Sequence, residues 1–122
     1  MGADEEVTRF IQSSFPSVWS LEVLLLLRRE QQGCSREQLV DALRASDLVI
    51  NQALGSLVAG GLAVLDEARL ATYRPASDEI AVLVDKTEDL YARKPDAVRR
   101  TIISGSMSGL TAFVDAFRLR KD

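Results

Sequence analysis

"SREQLVDALRASDLVINQALGSLVAGGL", Ser35 to Leu62, contains two helix starts in close succession. Ser35 and Gln38 have the spacing of a capping box, in which each side chain satisfies a backbone N–H that the first helical turn leaves without a partner. Leu39, Val40 and Leu43 give that helix an apolar side, and it ends near Ala45. Ser46 is a second N-cap, with Asp47 placed where a helix N-terminus favours negative charge. Beyond it Leu48, Ile50, Leu54, Leu57 and Val58 are mostly three or four apart, the spacing of one helical face, and Gly60-Gly61 stops the run. Leu48, Leu54 and Leu57 are the expected inward anchors. Two short helices so closely joined must turn a tight corner.

Working outward, a helix precedes this pair. Ser17 follows Pro16 as its expected N-cap, Val18, Leu21, Leu24, Leu25 and Leu27 mark a broad apolar stripe, and Gly33 is its expected C-cap. Residues 1–16 begin acidic and then gain Phe10, Ile11 and Phe15, which fits an N-terminal arm or short helix packed on the body. After the pair, Leu62–Leu65 and Leu70–Tyr73 read as two short strands joined by the polar turn Asp66-Glu67-Ala68-Arg69, a hairpin. Ser77, with Asp78 and Glu79 behind it, caps a helix running to about Arg93, and Pro95 suits the first turn of another. "SGSMSG" (104–109) reads as a small joint, followed by a last helix with Leu110, Phe113, Val114 and Phe117 on one stripe.

The order helix, helix, helix, hairpin resembles the winged helix-turn-helix domain of bacterial transcription regulators, in the broad MarR-like sense. The resemblance rests on Ser35-Arg36-Glu37-Gln38-Leu39, on Leu54-x-x-Leu57-x-x-x-Gly61-Leu62 and on Tyr73-Arg74-Pro75 at the hairpin's exit, and it covers about half of the chain. It implies a mainly α fold with a small β-hairpin wing and additional C-terminal helices. The domain would occupy 17–76, with 77–122 as C-terminal helices and a candidate dimerisation element. It also implies a sequence-specific DNA-binding regulator acting as a homodimer. The helix 47–60 would enter the major groove and the hairpin 62–75 would be the wing. Regulators of this kind usually dimerise through terminal helices, which assigns Leu110, Phe113, Val114 and Phe117 to the dimer contact.

The residues left for the outer face of helix 47–60 include Asp47, Val49, Asn51, Gln52, Gly55, Ser56 and Ala59, with no lysine or arginine among them. Asn51 and Gln52 carry carboxamides, which can bond bidentately to adenine, and Ser56 is a third polar group for base edges. Phosphate contacts fall to Arg36, Arg44, Arg69 at the hairpin tip and Arg74 at its base. The same lack of base on the helix also suits a different function, a winged-helix module that docks on a protein partner without binding DNA.

Composition narrows the function classes. The chain has 122 residues, 15 basic and 18 acidic, for a net charge of −3, so bulk attraction to nucleic acid does not define it. Residues 63–122 carry most of the basic groups, including the clusters Arg93, Lys94, Arg99, Arg100 and Arg118, Arg120, Lys121. With no histidine and one cysteine, the commonest general base and the usual Cys/His zinc sites are missing, and no phosphate-cradling glycine loop occurs. The expectation is a non-enzyme with no cofactor and no metal. The acidic opening residues are unlike a basic signal-peptide n-region, and the longest apolar run, Val23–Leu27, is too short to span a bilayer. A soluble cytoplasmic protein with no membrane partner is expected. Cys34, just before a helix start, is positioned where a helix dipole can lower a thiol pKa, which raises redox sensing as a minor reading.

Overall fold

The structure, a computed structural model, describes residues 2–105. It is mainly helical with one small two-stranded antiparallel sheet. In chain order the elements are α1 (Gly2–Ser14), α2 (Val18–Glu30), α3 (Arg36–Leu43), α4 (Asp47–Ala59), β1 (Ala63–Leu65), β2 (Ala71–Tyr73), α5 (Asp78–Arg93) and a sixth helix, α6, over 95–105. The stripe expected at 110–117, and with it Leu110, Phe113, Val114 and Phe117, lies outside the described residues.

Capping chemistry sets most of the helix starts. Ser17 caps α2, accepting from the Ser20 N–H while the Ser20 hydroxyl accepts from the Ser17 N–H. Ser35 and Gln38 close the same reciprocal pair on α3. Ser46 caps α4 through the Val49 N–H, and Ser77 caps α5 through the Ile80 N–H. Each such cap contributes about 1 kcal/mol.

The helix ends differ from expectation in one instructive place. Gln31, not Gly33, closes α2 in the left-handed region, at φ 59°. Gly33 is needed for another reason: a Cβ there would lie 2.9 Å from the Leu70 Cβ. The missing side chain lets the chain after α2 lie against the hairpin. Next to it, Cys34 and Ala71 exchange both backbone hydrogen bonds, each 2.8 Å, an extra rung beside the paired strands.

The core is built on α2, which buries Leu21, Val23, Leu24, Leu26 and Leu27. Helix α4 packs across it with Ile50, Ala53, Leu54 and Leu57, and α3 adds Leu39. Leu48 does not join them; it is 65% exposed, and Val58 is also exposed. The inward phase of α4 therefore runs through positions 50, 53, 54 and 57, which turns Leu48 to solvent.

On the other side, Val7, Ile11 and Phe15 bring α1 into the core, with Val84 from α5 and Val98 and Ile102 from α6. The strands pair Ala63 with Tyr73, Val64 with Thr72 and Leu65 with Ala71. Arg28 of α2 ties the second layer to the first: it bridges Asp85 and Glu88 of α5 and lies 5.9 Å from the centre of the Tyr73 ring. Tyr91 donates to Glu22 from α5 to α2, and Arg99 of α6 stacks over the Tyr91 ring. No single helix among the described residues is long and apolar enough to cross a membrane.

Candidate nucleic-acid interface

The corner between α3 and α4 positions two charged side chains at two helix starts. Arg36 is the first residue of α3 and Asp47 the first of α4. Their side chains meet, Nε to Oδ1, at 3.6 Å, with both largely exposed. Arg44 turns the corner in the left-handed region, φ 53°, with its N–H bonded to the Val40 carbonyl. Its side chain is exposed to solvent.

One turn into α4, Asn51 and Gln52 are exposed and Ser56 is half-buried. Gly55 lies beside them, and a Cβ at that position would meet nothing within 4 Å. Val49, expected on this outer face, is half-buried. The exposed surface of α4 is therefore Asp47, Leu48, Asn51, Gln52, Gly55, Val58 and Ala59, almost uncharged.

The hairpin tip is a tight turn held by Asp66. The Arg69 N–H donates to the Asp66 carbonyl at 2.9 Å, and the Leu70 N–H donates to its carboxylate, also at 2.9 Å. This closure puts Arg69 at φ 65°, a conformation that non-glycine residues adopt seldom outside turns. The side chain is carried outward on a fixed loop. Val64 and Leu65 are exposed on the adjoining strand.

An open groove of about 330 Å³ separates these parts. It is lined by Ser35, Arg36 and Glu37 of the α3 start, Asn51 and Leu54 of α4, and Leu65, Ala68 and Arg69 of the hairpin. Of the residues expected to face DNA, the fold thus gathers Arg36, Asn51 and Arg69 round one depression. Gln52, Ser56, Arg44 and Arg74 do not line it. Arg74 is exposed at the hairpin base, where its N–H donates to the Leu62 carbonyl.

The Arg36–Asp47 pair is the feature that residue-by-residue reading of the sequence missed. The signal was available in the two adjacent capping motifs, each of which is followed directly by a charged residue of opposite sign. The two helix starts also had to be brought together across the corner, and only the packing of α4 on α2 and α3 does that.

Cys34 does not match the activated thiol considered above. It is 7% exposed, and burial first, then the Glu30 charge, push its pKa up. Raising it keeps the thiol protonated and unreactive at neutral pH, the opposite of what the helix dipole suggested. The basic cluster Arg93, Lys94, Arg99 and Arg100 is partly paired with neighbours: Arg93 with Asp89 at 2.9 Å and Arg99 with Asp96 at 3.2 Å. No group of three or more His, Cys, Asp or Glu among the described residues is arranged to hold a metal ion.

No family model matches the chain, and neither a curated protein nor a solved structure matches it. The placement of these side chains carries the functional reading by itself.

Proposed function

We propose that the chain is a winged helix-turn-helix regulator that binds double-stranded DNA as a cytoplasmic homodimer. Helix α4 enters the major groove and the hairpin is the wing. A major groove about 12 Å wide accepts a helix with its side chains. The observation that carries the reading is the convergence of Arg36, Asn51 and Arg69 on one groove between helix start, helix face and hairpin tip. Arginines suit phosphate oxygens and an asparagine amide suits a base edge. Arg44 and Arg74 widen the positive rim.

The test is binding to random duplex DNA as a function of salt. Three phosphate contacts from each of two protomers predict a loss of roughly a thousandfold in affinity between about 50 and 200 mM salt. The Arg69→Ala variant binds more weakly, with a shallower slope. No measurable binding at about 50 mM salt overturns the proposal.

One observation favours a second reading, a module that docks the apolar face of a partner protein's helix. Leu48 on α4 is 65% exposed and Leu65 on the hairpin 47%, and Arg36, which lines the groove with Leu65, is already paired with Asp47. Absence of duplex binding together with a folded chain is the result that favours it.

A further inference from the structure

The Arg36–Asp47 pair and Asn51 together define what a duplex must present to α4. We infer, resting on the DNA-binding reading above, that Arg36 and Asp47 act as one unit reading a G·C base pair, and that Asn51 reads a neighbouring A·T pair.

In the major groove guanine presents two acceptors, N7 and O6, and cytosine presents one donor, its N4 amine. A guanidinium beside a carboxylate is the complement of that edge. Nε of Arg36 lies 3.6 Å from Asp47, just beyond hydrogen-bond length, and Arg36 pairs with no other acid among the described residues. Its guanidinium N–H groups are the donors that guanine accepts from. Asp47, 70% exposed at its side chain, keeps acceptor capacity for the cytosine amine.

Asp47 also constrains the phosphate chemistry. A carboxylate at the tip of a helix pressed into DNA repels the backbone, and Glu37 beside Arg36 does the same. A sequence that gives Asp47 a donor removes that penalty, and one that does not leaves it in place. Discrimination then comes from rejecting wrong sequences as well as from holding the right one.

The spacing follows from the helix. Asn51 is four residues after Asp47 on the same exposed face, a rise of about 6 Å. A helix in the major groove runs along the groove, not along the duplex axis, so this separation places the amide on a neighbouring base pair. Asparagine is the natural bidentate partner of adenine N6 and N7. Half-sites should therefore contain G·C and A·T pairs in that relation.

Selection of the full chain against a library of random duplexes tests this. The expected result is an enriched motif with a G·C pair close to an A·T pair. Asp47→Ala should lose preference at the first position by about tenfold while keeping the second, and Asn51→Ala should do the reverse. Asp47→Asn, which keeps the size at the helix start, should move the first position from cytosine toward adenine. An Asp47→Ala protein that binds every duplex more tightly with an unchanged motif overturns the inference, because Asp47 then only repels. Salt-dependent duplex binding with no enriched motif also overturns it and leaves the DNA-binding reading standing. No duplex binding by any variant overturns both.

Discussion

At the scale of single residues, α4 separates what periodicity determines from what it leaves open. Leu48 and Ile50 are both large and apolar near the start of one helix, and spacing alone allows either to begin the inward stripe. Ile50 is fully buried and Leu48 is 65% exposed. The deciding element is small: Ala53, buried at 3%, fits where α4 crosses α2, so the stripe runs through 50, 53, 54 and 57. An alanine in a run of leucines gives little signal of its own. The consequence is an asymmetric pair of variants. Ile50→Ala should cost about 2–5 kcal/mol, because it leaves a cavity in a packed core. Leu48→Ser should change stability by no more than about 0.5 kcal/mol. Urea titrations of both variants measure the difference, and an equal loss in the two would mean that Leu48 is buried against something in solution.

At the scale of elements, helix starts were legible because their chemistry is local, while contacts between layers were not. Ser17, Ser35, Ser46 and Ser77 each cap a helix where the sequence placed a cap. Caps need only the residues next to them. The Cys34–Ala71 rung and the Gly33–Leu70 approach join residues far apart in the chain, and a single extended rung has no period to detect. The same holds for Arg28, read only as part of a helix, which bridges α5 and stacks on Tyr73. Arg28 is 26% exposed at its side chain, whereas Asp85 and Glu88 are 58% and 46% exposed. Water screens the acids, so this pairing counts as a surface network, not a buried one. Arg28→Ala should therefore cost about 1 kcal/mol, part of it the lost contact of the guanidinium with the Tyr73 ring. Repeating the denaturation at about 1 M salt should shrink that cost, since screening weakens the ionic part. A cost that does not change with salt would assign the effect to packing alone.

At the scale of the whole molecule, the proposed DNA binding requires assembly to be tight, given the charge distribution. In each protomer Arg36 and Arg69 line the groove and Arg44 and Arg74 are exposed outside its lining, and Arg36 shares its charge with Asp47. Opposing them are Glu37 and, at the hairpin turn, Asp66 and Glu67, all exposed. A net charge of −3 gives no long-range attraction to compensate. One protomer with about three effective phosphate contacts has a logarithmic salt slope near −3, and two protomers on paired half-sites have one near −6. We propose that the sequence stripe Leu110, Phe113, Val114 and Phe117, outside the described residues, supplies the apolar contact for that dimer. Sedimentation equilibrium at micromolar concentration should then give twice the 13.4 kDa chain mass. Phe113→Glu with Phe117→Glu should return the chain to 13.4 kDa and halve the salt slope, while leaving the helical signal of the remaining fold in place. A wild-type chain that sediments at 13.4 kDa while keeping a slope near −6 would show that one protomer makes all the contacts, and would remove the dimer from the mechanism.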